Sequence, residues 1–360
     1  MTRPLDIVIF GLSLSSSWGN GHATTYRALL RGLAAEGHRV LFLERDVPWY
    51  AEHRDLPDPD FCEFALYGSL DDLGQWRERI ARADAVIVGS YVPDSILLLD
   101  RLADQVPGRL VFYDIDTPVT LAALKTDSAE YIARRQLPEI DLYLSFAGGA
   151  ALEQLRGFGA RKAAPFYCSV DPERYAPVDT DLRWDLGYLG TYSDDRQPGL
   201  KALLLEPARR LPECRFVVAG SQYPDDIDWP LNVERIDHLP PPDHAAFYNA
   251  QRFTLNLTRA AMRSVGHSPS VRLFEAAACG TAILSDRWPG IEEVLAPGEA
   301  ITIVDTPDDI AAALQMPENR RERMARAARD SVLGHHTGRA RARQLAAMVR
   351  DLPVRTEVPA

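Results

Sequence analysis

Twice along this chain, short β-rich runs alternate with stretches of helical period, and a proline-containing break separates the two series. No other feature constrains the fold as tightly. In the first series LDIVIFGL (5–12) reads as a buried strand, and HATTYRALLRGLAAEG (22–37) as a helix closed by Gly37 in a left-handed cap. HRVLFLERD (38–46), ADAVIVGSY (83–91), GRLVFYDID (108–116) and IDLYLSFA (140–147) are further strands, the last followed by a helix through Leu155. Strands alternating with helices imply parallel βαβ units and a doubly wound sheet. The proline-rich, charged segment Val47–Phe61 reads as a surface excursion.

Residues 165–185, beginning PFYCSVDPERYAPVDTD, carry no sustained period and suit an interdomain linker. A second series follows. DLGYLGTY (185–192) and CRFVVAGS (214–221) are strands flanking a helix at 198–210. NVERIDHL (232–239), RFTLNLT (252–258) and TAILSD (281–286) come next, with a helix at 270–279, and AITIVD (300–305) closes the series. The expected class is α/β, with two Rossmann-like doubly wound domains. A length of 360 residues agrees with two domains, given roughly 150 residues for each.

Composition narrows the partners. A net charge of −11 disfavours general binding to nucleic acid or anionic membranes, which needs a basic face. No apolar run approaches a membrane span, and MTRPLDIVIFGL has no signal-peptide pattern. Cys62, Cys168, Cys214 and Cys279 show neither CxxC nor framework spacing, which suits a reducing compartment. The expected location is cytoplasmic.

The sharpest chemical signal is SPSVRLFEAAACGTAILSD (268–286). Ser268, Pro269 and Ser270 form a turn opening a helix, with Ser270 suited to cap it. The first amides, including that of Val271, would then face an anion such as a diphosphate. Arg272 adds a charge-assisted contact, and Glu275, about one turn on, suits ribose hydroxyls. Gly280 ends the helix. A plain amphipathic helix closed by glycine is the competing reading.

This segment and its surroundings resemble the C-terminal domain of glycosyltransferases of the two-Rossmann (GT-B) type. The resemblance is nearest to the spore-maturation CgeB-like branch and more distant to the family 4 retaining enzymes. FVVAGS, HLPPPDHAAFYNAQRFTLNLTR, RWPGIEEVLAPGEAITIVDTPDDIAAAL and the SVDPERYAP signature (169–177) carry it in family order. The resemblance implies two domains facing across a cleft: residues 1–170 for the acceptor and 171–337 for a nucleotide-sugar donor. Residues 338–360 would be a helix and tail returning to the first domain. It further implies that Gly220 and Leu239 border the base, and that Arg196 lies where the family places cations for the diphosphate. Family 4 enzymes carry two glutamates eight positions apart; Glu275 matches the second, but His267 stands at the first. The first carboxylate's role therefore does not transfer, and His267 either touches sugar or phosphate or faces solvent.

The loop SSSWGNGHATTYRALL (15–30) is the second signal. Gly19 and Gly21 permit close ligand approach ahead of a helix start, although a dinucleotide fingerprint would need glycine at Thr24. His22 resembles a histidine that some inverting members place here, and imidazole suits proton removal from an acceptor hydroxyl. The competing role is packing at the helix start. Asp114 and Asp116 end a strand where open sheets bind ligands. Asp116 is then either a base or, with Thr117, a helix cap. DxD also mimics a metal-binding pair, but the element order does not fit that other fold, so no metal and no cofactor beyond the sugar nucleotide are expected. Trp18, Trp49 and Tyr50 are either sugar-stacking or packing residues.

The arginine-rich stretches at 317–332 and 337–352 read as two helices, each with one apolar face; a membrane-surface patch is the alternative. The expected function is transfer of a hexose-type sugar from a nucleoside-diphosphate donor to a small-molecule, glycan or lipid-linked acceptor. Asp116 or His22 serves as base if the reaction inverts, and neither is needed if it retains. The rivals are a nucleotide-sugar epimerase of the same build and a non-catalytic nucleotide-sugar binder.

Overall fold

The computed structural model describes residues 3–18 and 21–352. Two compact units result: Met1–Ser169 with Thr337–Ala360, and Val170–His336.

The first unit is a parallel sheet. Its strands are β1 (Asp6–Gly11), β2 (Arg39–Arg45), β3 (Glu63–Tyr67), β4 (Ala85–Gly89), β5 (Leu110–Asp114), β6 (Leu142–Ser145) and β7 (Ala163–Pro165), in the order β3-β2-β1-β4-β5-β6-β7. Ile9 on β1 sits opposite Phe42 on β2 and Ile87 on β4, and each is essentially buried. Apolar side chains on both faces are what a parallel sheet covered by helices requires. The winding reverses between β1 and β4, which makes that junction the switch point where open sheets hold ligands beyond their carboxyl ends.

Two strands escape sequence reading. β3 is an edge strand with four of its five residues at least partly exposed, so no apolar run marks it. β7 is three residues long and ends in Pro165, a residue an edge strand tolerates and the first residue of the expected linker. The excursion after Val47 contains a short helix, Pro48–Ala51.

Helix His22–Ala35 packs on the last helix, Gly338–Arg350. The backbones cross at Gly32 and Gly338: a methyl on Gly32 would overlap the Gly338 carbonyl, and one on Gly338 the Ala28 carbonyl. Arg341, buried on the last helix, donates to the Tyr167 carbonyl at 2.9 Å.

The second unit repeats the plan with β8 (Trp184–Leu189), β9 (Phe216–Ala219), β10 (Val233–Ile236), β11 (Gln251–Asn256), β12 (Ala282–Ser285) and β13 (Thr302–Ile303). Their order is β10-β9-β8-β11-β12-β13, again parallel, with the reversal between β8 and β11. Leu186, Phe216, Val218, Phe253 and Leu284 form its core with Leu204 and Ile310 from the covering helices. The helix expected at 198–210 is broken into Gln197–Leu200, a π-type segment Lys201–Leu205, and Glu206–Arg210. Pro207 explains the widening, because it has no N–H and its ring crowds the carbonyl four residues earlier. Helix Glu318–His335 buries Met324, Ala325, Ala328 and Val332. The apolar faces of both arginine-rich helices are thus spent on packing. Among the described residues no helix is long and apolar enough to cross a membrane.

Candidate functional site

In the first unit, the loop after β1 is pinned from below. Glu44, fully buried at the end of β2, accepts from the amides of Leu14 (2.6 Å) and Ser15 (2.9 Å) and from the Ser15 hydroxyl (2.6 Å). Arg27 donates to the Leu14 carbonyl and to both oxygens of Asp55, which in turn accepts from the Ser17 amide. Arg27, one turn beyond His22, thereby ties the His22–Ala35 helix to Leu14 and Asp55. Gly19 lies outside the described residues. Gly21 has a right-handed backbone, and an added methyl would meet nothing within 4 Å, so neither a turn nor a close contact demands glycine there.

His22 is buried, and its Nε2 lies 3.0 Å from Asp116 Oδ2. Asp116 stands at the N-cap of helix Thr117–Lys125, yet its side chain makes no capping bond. The capping role is overturned: the carboxylate turns to His22 instead. Asp114, two residues earlier, is fully buried. It accepts from Tyr143 Oη and Thr120 Oγ1, both at 2.7 Å, and from the Asp116 amide at 3.3 Å. Burial pushes its carboxyl up to about 6 despite those bonds. Asp114 braces the strand end while Asp116 faces outward. Tyr50 is buried and presents no stacking face, whereas Trp18 and Trp49 are exposed, Trp18 stacked on His53 at 4.5 Å.

In the second unit the polar groups gather at the carboxyl ends of β8 and β9 and at the start of helix Val271–Ala278. The ends of β8 and β9 touch through Gly190 and Gly220. Gly220 has φ +147, and a methyl on it would overlap the Gly190 carbonyl. Ser270 occupies the N-cap, but its side chain does not cap the helix: its Oγ accepts from Arg272 Nη1 at 3.3 Å. The Leu273 amide donates to the Ser270 carbonyl at 3.1 Å, which leaves the amides of Val271 and Arg272 as the open donors of the first turn. The Arg272 guanidinium lies 5.6 Å from the Tyr188 ring centroid. Arg196 donates to the Thr191 carbonyl at 2.7 Å, while its buried Nε has no partner. Burial, and then the like charges of Arg272 and Arg259, hold Arg196 below the usual guanidinium pKa. Among the described residues no carboxylate stands within ion-pairing distance of Arg196 or Arg272.

Glu275 is buried one turn beyond Arg272, where it accepts from Tyr248 Oη at 3.1 Å, with His244 Nδ1 at 3.9 Å. Tyr175, from the SVDPERYAP signature, adds its hydroxyl to this cluster and lies 3.5 Å from His244 Nδ1. His244 Nε2 is 3.3 Å from the Leu239 carbonyl, which fixes Leu239 beside the same cluster. Ser268 is buried and Val271 half-buried. His267 has a left-handed backbone, φ +46, and its amide donates to the Pro289 carbonyl at 2.6 Å. Its Nδ1 is 3.0 Å from Glu293 Oε1, and the ring fills the space left by the missing side chain of Gly290. The solvent-facing role for His267 does not hold, since the ring is anchored within its own domain.

Sequence reading missed Glu44, Tyr91, Tyr188, Gly190 and Tyr248. Glu44 was detectable as a charge ending an apolar run; the others have no local signature, because their roles depend on strands distant in sequence. No group of three or more His, Cys, Asp or Glu side chains suited to a metal ion occurs among the described residues.

Residues 196–347 match a family model described as glycosyl transferase-like. No curated relative matches the chain. Among solved structures, an α-glucosyltransferase in complex with UDP-glucose and DNA containing an abasic site is similar at 13% identity. That match covers 97% of this chain and 100% of the other, with a TM-score of 0.71. A sucrose-phosphate synthase from Thermosynechococcus elongatus is similar at 14% identity, 96% and 98% coverage and a TM-score of 0.65. Anabaena HepE in complex with UDP-glucose is similar at 12% identity, 97% and 100% coverage and a TM-score of 0.65. At these identities the likeness establishes the fold: two Rossmann-like domains of the GT-B kind.

Proposed function

We propose that this chain is a glycosyltransferase that moves a hexose-type sugar from a nucleoside diphosphate, UDP in the first instance, to an acceptor hydroxyl. Its finer kinship on this reading is with the CgeB-like branch and, more distantly, family 4. One observation carries the proposal: Arg272 reaches Gly190 and Arg196 the adjacent Thr191 carbonyl, so two guanidinium groups meet at the end of β8 with no salt bridge among the described residues, beside the open amides of Val271 and Arg272. Like charges partly withdrawn from water are costly, and a bound dianion offsets that cost. HepE and the α-glucosyltransferase, both solved in complex with UDP-glucose, make uridine the first choice of base.

Transfer breaks the bond between the anomeric carbon and the β-phosphate oxygen, and the electron pair leaves with the diphosphate. Arg196, Arg272 and the first helix amides stabilise that developing charge, so guanidinium groups meet it in this mechanism. The acceptor oxygen bonds to the anomeric carbon and gives up its proton. If the transfer inverts the anomeric centre, Asp116 is the exposed carboxylate suited to take that proton, with His22 Nε2 supporting the charge; a retaining transfer needs neither as base. Glu275, held by Tyr248, leaves its remaining acceptor capacity for ribose hydroxyls.

The test is UDP and UDP-glucose titration by calorimetry, followed by UDP release from UDP-glucose. Binding that weakens in both Arg196→Ala and Arg272→Ala, with measurable UDP release, supports a transferase. Interconversion of donor sugars with no UDP release identifies an epimerase instead, and binding without any turnover a non-catalytic binder.

A further inference from the structure

The end of β4 indicates what class of acceptor the first domain takes, an inference that rests on reading Asp116 as the base. Tyr91 lies two residues beyond β4, the strand next to the switch point, with φ +62. Bulky side chains rarely adopt this left-handed backbone, and such outliers concentrate at functional sites. Its ring meets His22 edge-on, centroids 5.7 Å apart and planes at 83°, and packs on Tyr131 at 4.4 Å. Tyr131 is itself anchored, its hydroxyl 2.7 Å from Thr120 Oγ1, which donates to Asp114. The ring therefore has a fixed place beside the histidine that holds Asp116. It is nevertheless 39% exposed, while the strand tyrosines Tyr113 and Tyr143 in the same unit are at 2% and 0%.

An aromatic face held open beside a base suits a ligand with an apolar face and a hydroxyl at its rim. A pyranose ring has both. We infer that Tyr91 is the platform for a pyranoside acceptor, whose C–H face rests on the tyrosine ring while one hydroxyl reaches Asp116. The strained backbone sets the ring at that height, so Tyr91 is a positioning and specificity residue.

The experiment uses the full chain with saturating UDP and a panel of methyl glucopyranosides, galactopyranosides and mannopyranosides, read by saturation-transfer NMR. Transfer to the ring C–H protons of at least one glycoside is expected. Tyr91→Ala should weaken its binding by about tenfold and Tyr91→Phe by less than about threefold, since the stacking face survives. Tyr91→Gly separates a binding role from a structural one. Glycine adopts this backbone without strain, which offsets packing lost against Tyr131 and His22, so the thermal midpoint should move little while the glycoside signal falls. No transfer to any glycoside in the wild type, unchanged affinity in Tyr91→Ala, or a lowered midpoint with retained affinity in Tyr91→Gly overturns the inference. UDP titration of the wild type reads the donor assignment separately: UDP bound without glycoside removes only the acceptor platform.

Discussion

His22 Nε2 and Asp116 Oδ2 meet at 3.0 Å with unequal access to solvent, the histidine side chain 8% exposed and the aspartate 42%. The pair therefore has a direction. His22 stands behind and Asp116 is the more accessible member, which favours the carboxylate over the imidazole as the base of an inverting mechanism. Asp116→Asn should lower kcat by roughly 10²–10⁴-fold with UDP affinity retained. His22→Ala should cost less, because the carboxylate remains. Steady-state kinetics with a working acceptor checks both, and an Asp116→Asn enzyme of normal kcat would refute the assignment.

Arg196 and Arg272 give a different signature. Each loses a charge-assisted contact when truncated, about 1.5–3 kcal/mol, or roughly 10- to 100-fold in UDP affinity. Arg196→Lys should restore only part of the loss, since an ammonium lacks the planar fork. Without nucleotide, Arg196→Ala should leave the thermal midpoint unchanged or raised, because it removes a cation that burial and Arg272 already disfavour. Calorimetry and thermal melts on the same samples test this; a midpoint lowered by several degrees would mark Arg196 as structural.

The fold was readable because it depends on patterns that lie within short windows. Runs such as LDIVIFGL and CRFVVAGS announce buried strands on their own, and two such series with a break between them leave few alternatives. β3 and β7 were invisible for the same reason: an edge strand needs no continuous apolar run. Within the site, Ser270, Arg272 and Glu275 were legible as a helix start, since their spacing is local. What Glu275 touches was not, for Tyr248 and Tyr175 reach it from other elements. Asp116 could not be told from a helix cap by sequence, because that depends on His22, 94 positions away. Tyr91 carries no signal at all until its backbone angle is seen.

Asp114 makes the first domain sensitive to pH. Burial raises its carboxyl from 3.8 to about 6 in the folded protein. Between those values the native state keeps a proton that the unfolded chain has released. Stability then falls as pH rises through that window, by about 3 kcal/mol at most, and stays lowered above it. Asp114→Asn cannot ionise, so the difference in melting temperature, wild type minus variant, should decline from pH 4 to pH 6 and level off beyond. A flat difference curve would show that Asp114 does not titrate there.

Gly190 and Gly220 touch at the ends of β8 and β9, yet substitution should affect them differently. A methyl on Gly220 meets the Gly190 carbonyl, a backbone group that cannot swing aside, and φ +147 is itself barred to alanine. Gly220→Ala should therefore destabilise the second domain by about 2–4 kcal/mol. At Gly190 the added methyl would lie 2.6 Å from Oη and 2.9 Å from Cζ of Tyr188, a buried core ring, and 2.9 Å from Arg272 Nη2, the mobile end of a partly exposed side chain. Gly190→Ala should cost less stability than Gly220→Ala, since it crowds side chains and not backbone, and should displace Arg272, weakening UDP binding severalfold. Chemical denaturation paired with UDP titration distinguishes the two. If Gly190→Ala binds UDP normally at normal stability, the Arg272 guanidinium does not hold the phosphates from the position it occupies over Tyr188.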